Sequence, residues 1–371
     1  MANRFWVGGT GTWDDTSTSH WSSSSGGASG ASAPTSSTDV FFDANSFSSA
    51  SQVVTLSGVP VCSTMNWTGA TNTPTLAGSA DISVRTGTVV FINNMNVTAT
   101  GQWTIGFVGS TGADYNIDTK GKTIGQTSLG FFGSGTINCN FLSDFSCSGI
   151  LNFVGGGSQT NGTINTNNFN ITLSGIDWQS LPTTGKTYTA NFGTSTVTFT
   201  GSTGFVWGAG ATTPLVLNGT NATFIFSATG SFGYSSSTSA TGTLGLIKIT
   251  SGTVSLATTG SVPPFGSVVV SDTRMSPGTA LVFPSSSTTQ FTNFTANGTS
   301  GSHITITAST SSSAATLSVT TKSLSYIDVK DNIAAGSIPF TDFFGTDNGN
   351  NTNWLFPSST SVDNSLFFAG N

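Results

Sequence analysis

Residues 199–205 read Phe-Thr-Gly-Ser-Thr-Gly-Phe, and residues 226–232 read Phe-Ser-Ala-Thr-Gly-Ser-Phe. The second stretch echoes the first 27 residues later, with both phenylalanines in the same places. Another repeat is weaker: residues 117–124 and 164–171 share Ile-x-Thr followed by a second isoleucine, at an offset of 47 residues. If 47 residues span two units, both repeats describe a unit of about 24 to 27 residues.

A unit of this size holds three short strands with their turns, which is one coil of a parallel β-solenoid, where each coil pairs only with its neighbours. Strands are indicated by period-2 alternation, as in residues 195–200 and 303–307, where Val, Phe or Ile alternates with Thr, Ser or His. About thirty such candidates lie between Val53 and Phe356, separated by Gly, Asn and Ser turns. They predict about ten coils and, at ~4.8 Å per coil, a rod roughly 50 Å long.

We therefore predict an all-β fold, an elongated parallel β-solenoid (β-helix) with atypical terminal caps. The composition agrees, because charged residues make up 6% of the chain, against about a quarter in an ordinary globular domain. All fifteen acidic residues are aspartate, and Glu, Lys and Arg are the residues that favour helix surfaces. Tandem β-sandwiches remain the alternative, because they would give a similar spacing of strands.

The two ends of the chain differ from its middle. Residues 1–50 form a Trp/Gly-rich segment, which we predict to be a cap or a docking segment, and residues 51–320 form the repetitive body. Residues 321–357 are predicted to be a C-terminal cap, and residues 358–371 a tail. A solenoid needs atypical end units because open edges would otherwise pair with other chains. We expect the N-terminal tryptophans to cover the first open coil or to form a docking contact with a neighbouring protein: Trp6, Trp13 and Trp21.

Several partners are disfavoured by the charge and hydropathy patterns. The net charge is −6 and the isoelectric point is near 4.5, and the absence of a Lys/Arg cluster argues against binding to a phosphate backbone. We therefore expect no nucleic-acid partner. The sequence contains no apolar run of about 20 residues, so we expect no membrane insertion. The first residues also lack the basic and apolar stretches of a secretory leader.

Catalytic motifs are not apparent in the sequence. The close carboxylate pairs that could hydrolyse a glycoside have simpler interpretations as turn residues or local charge partners: Asp14/Asp15, Asp39/Asp43, Asp114/Asp118 and Asp328/Asp331. A catalytic pair formed by aspartates from two different coils remains an alternative. No Gly-x-Ser-x-Gly turn surrounds a serine, and Cys62, Cys139 and Cys147 lack metal-ligand spacing. We predict no catalytic residue, no metal centre and no cofactor, and we interpret the cysteines as small buried hydrophobes.

Two binding hypotheses remain. Asp347 and Asn350 lie in an Asp/Asn-rich stretch that resembles a calcium loop, but Gly349 and Ser358 stand where ligands should be. A hydrogen-bonded turn is the simpler interpretation of that stretch. Three tryptophans in glycine-flanked or turn-like surroundings are candidates for stacking on a sugar, with burial in the core as the alternative: Trp103, Trp178 and Trp207.

Several stretches resemble one known class of protein. The opening residues NRFWVGGTGTWDD (3–15), HWSSSSGG (20–27) and VFFDANSF (40–47) resemble the start of β-solenoid proteins found in tailed-phage genomes and on bacterial surfaces. Later parts of that class are similar to four further stretches: NIDTKGKTIG (116–125), FGTSTVTFTG (192–201), SYIDVKDNIAAGS (325–337) and DNGNNTNWLF (347–356). These motifs are structural, and the class carries no catalytic signature. The resemblance implies an exposed virion or surface protein.

We therefore expect a non-enzymatic structural protein on the surface of a phage particle, either a tail-fibre or receptor-binding component or a head decoration. Its expected partners are other virion proteins, further copies of itself, with a trimer by analogy with phage fibres, and host surface polysaccharide. Its expected location is the virion, after assembly in the host cytoplasm. The alternatives are a secreted or cell-surface bacterial β-helical adhesin and a polysaccharide-depolymerising tailspike.

Overall fold

Alternation of apolar and polar side chains turns one side of most strands toward a common interior, around which the chain winds as stacked coils. The secondary structure consists of β-strands and turns in the residues that the computed structural model describes: 2–108, 113–132, 135–155, 160–180, 186–207, 214–234, 240–257 and 267–357. No helix in this part of the chain is long and apolar enough to span a bilayer. The predicted all-β parallel β-solenoid is confirmed, because strand after strand pairs in parallel with the strand of the next coil.

Each coil has three faces, and some strands bend around a corner and serve two of them. Face A contains Ala2–Trp6, Thr38–Phe41, Thr64–Asn66, Val89–Val90, Ala113–Asp118, Gly135–Phe141, Thr160–Asn165, Tyr188–Asn191 and Asn332–Ala334. Face B contains Gly11–Trp13, Val53–Leu56, Thr75–Gly78, Asn96–Val97, Thr123–Ile124 and Phe145–Cys147. Five strands run from face A into face B: Leu215–Phe226, Ala240–Ile249, Ser267–Met275, Thr288–Asn297 and Ala315–Ser325.

Face C completes each coil. It contains Val61–Cys62, Ile82–Val84, Trp103–Phe107, Thr127–Phe131, Ile150–Gly155, Gly230–Tyr234, Thr253–Ala257, Ala280–Phe283, Ile304–Ala308, Ile327–Lys330 and Thr346–Asp347. Two strands run from face B into face C: Ile171–Ser180 and Thr196–Trp207. The remaining strands close the ends of the solenoid: Trp21–Ser22, Phe340–Thr341 and Trp354–Leu355.

The sequence repeats correspond to neighbouring coils. Phe199 pairs with Phe226 and Phe205 with Phe232, so the offset of 27 residues is one coil. The weaker repeat is out of register, because Ile117 pairs with Phe141 whereas Ile164 pairs with Cys139. The offset of 47 residues therefore spans two coils, but Ile164 lies two residues before the position that stacks over Ile117. A slip of two residues keeps an apolar side chain on the inner face, since side chains alternate with a period of two.

Aromatic rings fill the interior where face B turns into face C. Phe205 is fully buried and its ring lies 5.2 Å from that of Trp207, 5.5 Å from that of Phe224 and 6.1 Å from that of Trp178, between ring centroids. Phe205 and Trp207 share a strand, whereas Trp178 and Phe224 come from the coils before and after it. The turn before Phe205 needs glycine at 204, because φ is +63° and an added Cβ would lie 2.1 Å from the backbone oxygen of Ser231 in the next coil.

An asparagine ladder runs along face A. The side-chain amides of successive coils hydrogen-bond to one another, and the distances from Asn165 to Asn140, from Asn191 to Asn165 and from Asn218 to Asn191 are each 2.8 Å. Asn116 extends the ladder by one coil at 3.5 Å. Amide side chains suit this arrangement because each has both donors and acceptors, so one residue can bond on two sides.

The end segments belong to the same solenoid. Ala2–Trp6 pairs in parallel with Thr38–Phe41, which in turn pairs with Thr64–Asn66, so the coils begin inside the predicted N-terminal segment 1–50. At the other end Ile327–Lys330 pairs with Thr346–Asp347, within the predicted cap 321–357. The predicted tail 358–371 lies outside the described residues.

We predict that Phe205→Ala destabilises the fold by about 3–5 kcal/mol, because it leaves a cavity among rings from several coils. The matched control is Ser202→Ala in the same strand, where the side chain is exposed, and we expect a shift within about 0.5 kcal/mol. Denaturant unfolding followed by tryptophan fluorescence measures both. Equal stability of the two variants would contradict the packing described here.

Candidate functional site

The three tryptophans predicted to bind sugar lie in the core. Trp103, Trp178 and Trp207 are 0%, 2% and 0% exposed, so the exposed ring that this hypothesis requires is absent, and the prediction is wrong. The neighbouring glycines serve the stacking of coils instead of exposing the rings. A Cβ added at Gly101 would lie 1.9 Å from the backbone oxygen of Ala80 in the preceding coil.

The N-terminal tryptophans form a buried aromatic cluster. Trp21 meets Trp6 edge-on at 5.1 Å and Trp13 at 5.4 Å between ring centroids, and all three residues are 0% exposed. The strand Trp21–Ser22 pairs antiparallel with Phe5–Trp6 and so covers the end of the first strand's free edge. The structure places these rings where an end cap needs them. The alternative role, a docking contact through the rings, is wrong because no ring surface is left exposed.

Seven of the eight carboxylates in the candidate catalytic pairs are engaged in local structure. Asp14 accepts bonds from the backbone N–H groups of Thr16 and Ser17, at 2.9 and 2.5 Å, and these bonds lower the pKa of its carboxyl. Six other members of the pairs contact a polar side chain or backbone group: Asp39 (Thr64), Asp43 (Asn45), Asp114 (Asn138), Asp118 (Lys120), Asp328 (His303) and Asp331 (Asn350). These contacts explain the carboxylates as turn and inter-coil groups.

Asp347 and Asn350 take part in a hydrogen-bonded turn. The Asp347 carboxylate accepts bonds from the backbone N–H of Gly349 and from the Asn351 amide, at 2.9 and 2.6 Å. The Asn350 amide donates to Asp331 at 2.7 Å. Within the described ranges, no three His, Cys, Asp or Glu side chains are grouped as metal ligands. These contacts fit the hydrogen-bonded turn, which was the simpler of the two interpretations of this stretch.

The three cysteines are buried in the interior. Cys62, Cys139 and Cys147 are free thiols, 0%, 0% and 3% exposed. Burial raises the pKa of each thiol, and that of Cys147 to about 12. The thiolate is the reactive form of cysteine, and a raised pKa keeps these side chains as thiols. They therefore act as small apolar side chains that fill space in the core.

A groove at the C-terminal end is the candidate site that the sequence did not indicate. It lies at the corner between faces B and C and has a volume of about 540 Å³. We call it the C-terminal groove, and its main lining residues are His303, Tyr326, Phe343, Phe344, Asp347 and Phe356. Phe343 and Phe344 are 63% and 54% exposed. Exposed aromatic rings with polar groups beside them are the usual composition of a ligand site.

Trp21→Ala should make the protein associate, because it removes the ring that anchors the covering strand and frees the edge of Ala2–Trp6. Size-exclusion chromatography with light scattering should show oligomers, and the midpoint of thermal unfolding should fall. The exposed Ser23, two residues along the chain, provides the control variant Ser23→Ala, which should stay unchanged. A monomeric Trp21→Ala variant of normal stability would exclude the capping role.

Comparison with known proteins gives no relative for this chain. No protein-family model matches it, no curated protein matches it, and no solved structure matches it. What can be proposed about its function therefore depends on the fold, on the polar ladders and on the C-terminal groove.

Proposed function

We propose that the chain is a non-enzymatic structural protein displayed on the surface of a tailed-phage particle, as a tail-fibre or receptor-binding component or as a head decoration. Its partners would be other virion proteins and further copies of the chain, with a trimer by analogy with phage fibres. It would assemble in the host cytoplasm and act outside it, as part of the virion.

The observation that carries this proposal is the long parallel stack itself. One sheet of 30 strands includes members from Ala2–Trp6 to Thr346–Asp347, so a single ladder links the two ends of the described chain. Such a stack holds its two ends at a fixed separation through backbone pairing from coil to coil. A displayed spacer or fibre segment requires this kind of stiffness.

The outward surface supports the same proposal. Its rows are rich in Asn, Thr and Ser, as in the asparagine ladder, and hydroxyl and amide groups make many weak hydrogen bonds. Low charge limits adhesion to the wrong surfaces. Seven of the eight carboxylates that could have formed a hydrolytic pair are engaged in turns and inter-coil bonds, which favours a non-enzymatic role over the depolymerase alternative.

Antibodies raised against the purified chain test this proposal. In the source culture they should label intact phage particles in immunogold electron microscopy, and the position of the gold on head or tail distinguishes the two forms of the proposal. Pre-adsorption with the purified chain is the control and should abolish the label. Labelling of bacterial surfaces instead of particles would contradict the proposal in favour of the adhesin, and loss of capsule viscosity on incubation with the chain would contradict its non-enzymatic part.

A further inference from the structure

We propose that the C-terminal groove binds a neutral saccharide, with a sugar ring stacked on Phe344. This inference rests on the proposed role as a displayed surface protein, because it assigns the place at which that protein would contact a glycan. The buried tryptophans offer no face for stacking, whereas Phe343 and Phe344 of the C-terminal groove are exposed.

An aromatic column lines the groove. His303, Tyr326 and Phe344 each lie at the corner between faces B and C in three successive coils, with His303 and Tyr326 directly before the paired residues Ile304 and Ile327. The Tyr326 and Phe344 rings are stacked at 4.7 Å with an angle of 14° between their planes. The His303 ring lies 5.6 Å from that of Tyr326. Tyr326 covers one face of the Phe344 ring, and Phe344 as a whole is still 54% exposed.

A buried carboxylate fixes this column. Asp342 is 1% exposed, and one of its oxygens accepts the backbone N–H groups of Tyr326 and Phe344 at 3.1 and 3.0 Å. The other oxygen accepts the N–H of Ile327 at 2.7 Å. Burying a carboxylate is costly unless it is fully hydrogen-bonded, and here the bonds go to the two segments that carry the stacked rings. Asp342 therefore acts as a positioning residue for an exposed aromatic platform.

Backbone strain occurs at the same place. Tyr326 has a φ of 54°, in the left-handed region that a bulky side chain rarely adopts. Such a conformation persists only where the surroundings impose it. The Asp342 bond to the Tyr326 N–H is part of what imposes this one. The strained backbone and the buried carboxylate both concern the presentation of the Tyr326 and Phe344 rings.

The polar groups of the groove indicate the ligand class. His303 Nδ1 lies 2.8 Å from Asp328 Oδ1, and both side chains are partly exposed. The groove is also lined by Ser300, Thr346 and Asp347, and no Lys or Arg is among its lining residues. Hydroxyl, imidazole and carboxylate groups suit a ligand rich in hydroxyls, whereas an acidic sugar would find no Lys or Arg to pair with. The volume of about 540 Å³ lies within the ~300–1,000 Å³ of small-ligand sites.

An array of neutral and acidic oligosaccharides, probed with the full chain, tests the proposal. We expect binding to one or more neutral gluco-, galacto-, manno- or N-acetylhexosamine oligosaccharides and not to sialylated or uronic-acid oligosaccharides. For the best-bound oligosaccharide, titration calorimetry should show that Phe344→Ala weakens binding about tenfold or more. Phe344→Trp should retain binding, because it keeps a stacking face.

The matched control is Leu355→Ala, which removes another exposed apolar side chain (51% exposed) from the last coil without touching the groove lining. It should bind like the wild type. Binding of no neutral oligosaccharide, equal binding by Phe344→Ala, or occupation of the groove by a protein partner that competes with every sugar would overturn the proposal. Particle labelling without saccharide binding would overturn this inference alone, whereas saccharide binding by a chain located on bacterial cells would overturn the proposed display on phage.

Discussion

Parallel pairing between successive coils is the interaction on which the rest of the structure depends. The backbone N–H and C=O groups of a strand in one coil find partners only in the coils before and after it, so the register must be carried from coil to coil. Inward side chains then stack on equivalent side chains, as Phe199 does on Phe226. The same register aligns polar residues on the outside, and the asparagine ladder follows directly from it.

The first and last coils have a neighbouring coil on one side only, so their strands cannot pair on both sides in this way. At the N-terminal end Trp21–Ser22 turns back and pairs with Phe5 and Trp6 of the first strand, and the buried tryptophans pack beside it. At the C-terminal end the coils shorten, and side-chain bonds from Asp342 and Asn351 take over part of the pairing. Four of the nine exposed large apolar side chains in the described residues belong to this end: Ile338, Phe343, Phe344 and Leu355. The N-terminal tryptophans are buried, whereas the C-terminal end presents aromatic surface.

Much of the fold could be predicted from the sequence, because the alternation of apolar and polar residues predicts the strands. The repeat of residues 199–205 at 226–232 predicts the length of one coil. The coil length is not constant, however. Along the asparagine ladder the sequence separations are 24, 25, 26 and 27 residues, so no fixed period aligns these residues. The sequence predicts the exposure of individual tryptophans poorly. Glycine near a tryptophan is typical of an open turn, but Gly101 near Trp103 instead allows two coils to approach each other closely.

The C-terminal groove was not predicted, since His303, Tyr326 and Phe344 come from three coils and meet only through the register. A weak signal existed: residues 303–306 and 326–329 both read as a ring residue followed by Ile, a polar residue and Ile or Val. Asp342 carried no signal, because its role depends on which backbone amides the fold brings to it.

The central claim, that register is kept across many coils, can be tested by distances between nitroxide labels on face B. Thr198, Ile225, Lys248, Arg274, Thr295 and Ser323 occupy one column in successive coils. At ~4.8 Å per step, the backbone positions of labels at 248 and 323 should be about 14 Å apart, and those at 198 and 323 about 24 Å apart. Measurement by pulsed electron paramagnetic resonance should show that increase of about 10 Å. Distances that do not grow with the number of coils between the labels would contradict the account.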